Sequence, residues 1–237
     1  MRFLAALGGN LALAFLVLAL AAVPLLTHPA TPLPREWNPV LPLDMAEPLT
    51  PVTPFKLAAS QRGASCSAAI NSGDVRFVAL DDFEISDVCH IRDRVRLDRV
   101  GSAALAPVET RCATALRLAL WERHVLQPLA EAHLGTSVTR ILHQSSYNCR
   151  PIRTPSGDGQ RMSTHATASA IDVRGFTLGD GREIVLTSGW NSADYGRFLR
   201  AVRNGACDWF TTVLGPDFNI LHADHFHLQA VGRGPCR

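Results

Sequence analysis

The chain has 237 residues, 47% of them hydrophobic and 19% charged, enough to bury one sizeable core or two small ones. Its formal net charge is only +2, so it lacks the basic footprint that dominates nucleic-acid binding, and no nucleic-acid partner is expected. Lys56 is the single lysine; the arginine bias runs along the whole chain and therefore singles out no recognition site.

The N-terminus comes first. No Asp, Glu, Lys or Arg occurs between Arg2 and Arg35, and Leu11 to Leu26 is nearly all aliphatic. Spanning a bilayer takes about 20 apolar residues, and a signal peptide's apolar region takes about 7–15. Phe3 to Leu26 can serve either way. Ala19-Leu20-Ala21 offers a cleavage site, but inside the apolar run rather than after it, which favours an uncleaved signal anchor over residues 1–27. Arg2 on the short N-terminal side points to a cytoplasmic N-terminus and an exported body. Residues 28–54 carry eight prolines, which fix φ and remove donors, so they read as an extended linker. A folded domain is expected over 55–237, at the periplasmic face of the inner membrane if the anchor stays or free in the periplasm if it is cut.

Within that domain, Leu57 to Ile70 reads as a helix, followed by strands at Val75–Leu80 and Arg94–Val100. Pro107 to His133 is the clearest helix, with proline at its start, Leu116, Leu120, Trp121 and Leu129 at helical spacing, and Gly135 to end it. Pro128 predicts a kink or a break inside it. Thr136–Leu142 is a strand. Ala170–Phe176 and Glu183–Thr187 form a hairpin across Leu178-Gly179-Asp180-Gly181. Ser192 starts a helix to about Val202, and strands at Phe210–Leu214 and His225–Val231 close the chain. Helices first and hairpins after predict an α+β fold, with N-terminal helices packed on a small antiparallel sheet.

Six cysteines follow the apolar segment: Cys66, Cys89, Cys112, Cys149, Cys207 and Cys236. There is no CxxC pair, and an even count behind an export signal reads as disulfides formed in an oxidising compartment. Of the 15 possible pairings, proximity in sequence favours Cys66–Cys89, Cys112–Cys149 and Cys207–Cys236. The rival reading is that some are free buried thiols.

The chemistry gathers near the C-terminus. In HADHFHLQ, three of nine histidines fall inside six positions, with Asp224 among them. On a strand, His225, His227 and Gln229 share one face, while Phe226 and Leu228 take the other. Two imidazoles facing one way suggest a metal, but a catalytic zinc needs about three protein ligands and an open position. The partners lie in RMSTHATASAIDVRGF: His165, and Asp172 seven positions on, flanked by Ile171 and Val173. A carboxylate there needs a partner. A metal supplies one, and a salt bridge to Arg174 or Arg161 is the competing explanation.

Ser163, His165 and Asp172, followed much later by His-x-His, resemble the zinc peptidases of the lysostaphin, D-Ala-D-Ala carboxypeptidase and murein endopeptidase group. The wider pattern, SYNCR, STHATASAIDV, VLGPDFN and HADHFHL, resembles the bacterial extensin-like C-terminal domain family over about residues 60 to 237. The resemblance implies Zn2+ held by His165, Asp172 and His227, and a peptidoglycan substrate. It further implies Arg150 of SYNCR as a substrate contact, although a surface arginine beside a disulfide is an equal reading. The peptidase pattern has glycine where this chain has Ala168, and no HExxH helix is present.

Three ligands and an open position let zinc lower the pKa of a water to about 7, and a base must then sit beside that water. His225 is the first candidate, because it shares the face of His227. Asp224 competes only if the strand begins with a bend. His222 resembles an additional active-site histidine of the murein endopeptidases. His90, His124, His133 and His143 lack spaced partners and read as ordinary polar residues, while Trp190 and Tyr195 read as core or rim residues. The resulting expectation is an exported zinc-dependent hydrolase of amide bonds in peptidoglycan peptides. The alternatives are a non-catalytic wall-binding domain that keeps its zinc, and a disulfide-held structural protein without metal.

Overall fold

The computed structural model describes residues 2–237, with the side chains of the first helix described from Leu13 onward except at positions 15 and 19. The chain divides into two compact units that meet between Ser60 and Gln61.

The first unit holds helix α1 (Arg2–Thr27) and helix α2 (Thr53–Ala59), with a 3-10 turn at Arg35–Trp37. Among the described residues no helix is long and apolar enough to cross a membrane. The membrane-spanning reading of Phe3–Leu26 therefore gains no support, and the side chains of its first part lie outside the described residues. Residues 28–54 are not a plain extended linker. The Lys56 ammonium is buried and donates to the Arg35 carbonyl at 2.6 Å and to Glu47 Oε2 at 2.7 Å. Glu47 Oε1 accepts from Arg35 Nε at 3.0 Å. A buried charge is tolerable only when paired in this way, and the pairing ties α2 to the proline-rich stretch. The helix expected over Leu57–Ile70 accordingly breaks after Ala59.

In the second unit, helix α3 (Gly63–Asn71) precedes strands β1 (Val75–Ala79), β2 (Phe83–Ser86), β3 (Cys89–Ile91), β4 (Arg94–Val100) and β5 (Ala103–Arg111). Helices α4 (Cys112–Trp121) and α5 (Gln127–Leu134) follow, joined by a π-helical turn at Glu122–Leu126. Then come β6 (Val138–His143), the hairpin β7 (Pro151–Thr154) and β8 (Gly157–Met162), β9 (Ala170–Leu178) and β10 (Glu183–Val185). Helices α6 (Leu186–Gly189) and α7 (Gly196–Ala206) and strands β11 (Thr212–Leu214) and β12 (Phe226–Gln229) complete it. Eight strands form one sheet in the order β1-β4-β5-β6-β9-β12-β11, with β10 on β9.

The α+β class holds, but two details of the expected architecture do not. The sheet is large and mixed, because β5 and β6 run parallel. Such a pair needs a crossover, and α4 to α5 supplies it. The helices are therefore interleaved with the strands rather than gathered at the N-terminal end.

Pro107 explains the largest boundary error. It belongs to β5, not to a helix start, and the helix begins at Cys112. Its strand shifts register against β4 between Leu97 and Arg99, and an irregularity of that kind is where a sheet tolerates proline. The break expected near Pro128 takes the form of the π turn just before it, with Pro128 in the first turn of α5.

Glu122 opens that π turn and is buried. Its Oε1 accepts the Ser102 backbone N–H at 3.0 Å and Gln127 Nε2 at 2.7 Å. A Cβ on Gly101, which sits at φ +51°, would run into this carboxylate. Burial pushes the Glu122 carboxyl above its ordinary value, against the pull of Gln127 and the Ser102 amide. An acid raised on folding loses stability as pH rises from the unfolded value through the folded one. Glu122→Gln is therefore expected to gain melting temperature over the parent as pH rises above the ordinary glutamate range. A melting difference that stays flat with pH contradicts this.

The core lies where α4 and α7 cover β9. Trp121 meets Phe176 at 6.1 Å and Phe176 meets Phe198 at 5.9 Å between ring centres, and all three side chains are fully buried. Three disulfides brace the unit, and none of the six cysteines is free. Cys207–Cys236 is as expected. The other two are Cys66–Cys112 and Cys89–Cys149, not Cys66–Cys89 and Cys112–Cys149. Proximity in sequence misled here because loop-closure cost grows only slowly with length, while the packing of α3 against the start of α4 brings Cys66 within 6.1 Å of Cys112 between Cα atoms.

Candidate metal centre

Strand register brings the site together. In the antiparallel pair β9–β12, His227 stands opposite Asp172, with Phe226 opposite Val173 and Leu228 opposite Ile171. Side chains directly opposite share a face, so Asp172 and His227 point to one side and the four apolar residues to the core. Farther along β9 the register against β6 shifts between Leu142 and His143. That irregularity lets Phe176 join the core although its spacing from Asp172 is even.

His165 arrives from a 3-10 turn, Thr164–Thr167, begun by Ser163, whose Oγ accepts the His165 N–H. Ala168 ends the turn at φ +48°. That left-handed position favours glycine, and alanine there costs about 1 kcal/mol. The Ala168 carbonyl is gripped by Thr114 Oγ1 at 3.0 Å and Thr110 Oγ1 at 3.2 Å, contacts that offset the cost. The substitution of alanine for the pattern's glycine thus leaves His165 in place.

Three ligand atoms form a tight triangle. His165 Nε2 lies 3.1 Å from Asp172 Oδ1 and 3.0 Å from His227 Nδ1, and His227 Nδ1 lies 3.0 Å from Asp172 Oδ1. All three residues are buried, at 1%, 7% and 9% exposure for His165, Asp172 and His227, and they form a group able to hold a metal ion. The outer nitrogens are already committed. His165 Nδ1 is 2.9 Å from the Ser146 carbonyl, which can only accept, so Nδ1 carries the proton and Nε2 presents a lone pair. His227 Nε2 is 3.4 Å from Gln229 Oε1. Gln229 is oriented by its own amide donating to Val231 O at 2.6 Å, while Oε1 also accepts from Thr164 Oγ1 at 3.1 Å. Neutral imidazoles held this way aim two lone pairs and a carboxylate oxygen at one point, a repulsive arrangement unless a cation sits there.

The donor set and spacing fit zinc. Bonds of about 2.0–2.1 Å at tetrahedral angles put ligand atoms about 3.3 Å apart, a few tenths of an ångström from the edges found. Burial alone would raise the Asp172 carboxyl; positive charge beside its oxygen, which protonated imidazoles or a bound cation would supply, holds it well below the ordinary carboxylate range. Nitrogens of His165, His227 and, at 3.6 Å, His225 surround it, and no ion pair with Arg174 or Arg161 is found among the described residues.

The candidate bases lie beside the triangle. A turn precedes β12, which starts at Phe226, so the regular-strand argument stops short of His225 and Asp224. His225 Nδ1 is 2.7 Å from Asp224 Oδ1, and its Nε2 faces Asp172 Oδ1. Asp224 is half exposed, and Gln144 Nε2 donates to its Oδ2 at 3.2 Å. Burial would raise Asp224, but the His225 bond holds it below its usual value. His222 lies tilted to His225 and edge-on to His227, with ring centres 5.3 and 6.0 Å away. Its Nδ1 meets Asn219 Oδ1 at 2.7 Å. Burial, helped by His225 and His227, pushes His222 down to about 4 against Asp172 and Asp224, so it is neutral at pH 7.

These residues line one cleft of about 640 Å³, and Arg150 lies on its wall with Arg153, Phe218 and Leu221. Arg150 Nη1 donates to the Pro151 carbonyl at 3.1 Å, and the neighbouring Cys149 bonds Cys89, so it is both a cleft residue and a residue beside a disulfide. Trp190 is no cleft residue. It donates to Asp217 Oδ1 at 2.9 Å and packs on Phe226.

A family model for the extensin-like protein C-terminus matches residues 64–237. The chain belongs to the extensin-like C-terminal family. No curated protein and no solved structure matches it. The matched span of this extensin-like domain contains the triangle, the Asp224–His225 pair and all six cysteines.

Sequence reasoning missed Ser146, Gln144 and the Thr164–Gln229 pair. Alternation had placed Gln229 on the histidine face, which was the available signal. Ser146 acts through a backbone carbonyl, which no side-chain pattern records.

Proposed function

We propose that this extensin-like domain is an exported zinc-dependent hydrolase of amide bonds in peptidoglycan peptides, of carboxypeptidase or endopeptidase type. The observation that carries it is the triangle of His165 Nε2, Asp172 Oδ1 and His227 Nδ1, with the remaining histidine nitrogens turned to carbonyl oxygens. Likeness of its motifs to the zinc peptidases supports the same reading. Three disulfides support an oxidising compartment such as the periplasm, where the apolar N-terminal segment would hold the domain close to the wall.

Zinc held by these three residues would supply Lewis acidity toward a carbonyl and a water of lowered pKa. His225 supplies the proton transfer. Its Nδ1–H donates to Asp224, which leaves Nε2 with the lone pair that faces the site. Nε2 can take the proton from the attacking water and return it to the leaving amine. Asp224 holds the ring in that orientation, and Gln144 holds Asp224. Arg150 and Arg153 on the cleft wall suit the carboxylates of wall peptides.

The test is incubation of the full chain, supplied with zinc, with purified muropeptides. New amine termini that disappear on chelation and return with zinc are expected. Intact muropeptides at full zinc loading would instead favour a wall-binding domain.

A further inference from the structure

A second cavity shares no lining residue with the histidine cleft. Its volume is about 240 Å³, below the ~300 Å³ at which pockets for drug-sized ligands begin. Arg62, Arg111 and Arg117 line it with Thr114 and Ser169, and no acidic residue is among the described residues of its wall.

Two of the three guanidiniums are fixed in place. Arg117 donates through Nε to Gln61 Oε1 at 3.0 Å and through Nη1 to the Trp209 carbonyl. Arg111 donates through Nη1 to Ser169 Oγ at 3.1 Å, while its Nε is buried with no hydrogen-bond partner. Arg62 is exposed, just before α3. Burial pushes Arg111 and Arg117 below their ordinary value; at Arg111 the charge of Arg62 adds to this, and Asp93 and Asp82 oppose it. Neither acid lies on the cavity wall. Asp93 Oδ1 accepts the Gly63 N–H at 3.0 Å, and Asp82 accepts the Asp93 N–H at 2.9 Å and pairs with Arg92.

Three arginines thus line one small volume, one of them with a buried donor unused. A buried donor without a partner is costly, and the Arg62 charge works against that of Arg111. Guanidiniums match carboxylate and phosphate oxygens in a planar, bidentate manner. We propose that this cavity is an anion site that takes a small carboxylate or phosphate group, with Arg62, Arg111 and Arg117 as its ligands. It is independent of the metal centre and of any hydrolytic activity.

The test is calorimetric titration of the full chain with inorganic phosphate and, separately, with N-acetylalanine as a peptide-like carboxylate. One equivalent of either should bind. Arg111→Gln and Arg62→Glu should each weaken it at least about tenfold, while His227→Ala leaves it unchanged. The Arg62 side chain makes no hydrogen bond or ion pair among the described residues, so its variant keeps the test valid if Arg111→Gln misfolds. Tighter phosphate binding assigns the site to a phosphate group, and tighter N-acetylalanine binding to a peptide carboxylate. The proposal is overturned if neither ligand binds up to about 10 mM, if both arginine variants bind like the parent, or if His227→Ala abolishes binding.

Discussion

His165→Ala is expected to lower zinc affinity by more than the ~10–100-fold that loss of an outer-shell partner costs, and to abolish hydrolysis. The substitution removes one corner of a triangle whose edges are 3.0–3.1 Å. Two ligands remain, below the three that a catalytic zinc requires. It also strands the Ser146 carbonyl, which loses its partner at a cost of about 1–3 kcal/mol. Competition against a chromogenic chelator measures the first effect, and circular dichroism confirms that the disulfide-braced fold persists. Zinc affinity equal to the parent's in a folded variant rules out His165 as a ligand.

The second large effect belongs to His225. His225→Ala should reduce the hydrolytic rate by about 10²–10⁴-fold with zinc affinity little changed, because His225 lies beside the triangle and outside it. Asp224→Ala should cost less, since it removes only the group that orients the ring. If the two act as a unit, the double variant will be no slower than His225→Ala alone. A double variant that keeps zinc and loses hydrolysis also disposes of the non-catalytic wall-binding alternative. Full activity in that variant places the base elsewhere, with His222 the next candidate.

The site was more legible in the sequence than the fold around it. His165, Asp172 and His227 carry unusual side chains at informative spacing, and alternation along the last strand put His227 opposite the core-facing Phe226 and Leu228, as its pairing with Asp172 requires. The choice between His225 and Asp224 was not legible. It depends on a turn that ends one residue before His225, and strand periodicity carries no information past the end of a strand.

The fold resisted for similar reasons. Pro107 has the same local signature at a helix start and at a strand irregularity, and only the pairing of β4 with β5 decides between them. The cysteine connectivity depends on which helices pack, as Cys66 and Cys112 show across 46 residues. The hairpin β7–β8 escaped notice because GDGQRM has no apolar alternation to mark it. Glu122 falls inside the span expected as a single helix, where nothing in the local pattern marks it as buried against the Gly101 turn.

The central claim is that the triangle holds a metal. Elemental analysis of the purified full chain, refolded or expressed with zinc, tests it most directly. One equivalent of zinc is predicted, lost to a strong chelator together with several degrees of melting temperature, since an ion bound only by the folded state stabilises it. Less than about half an equivalent, with a melting temperature that chelation leaves untouched, contradicts the account.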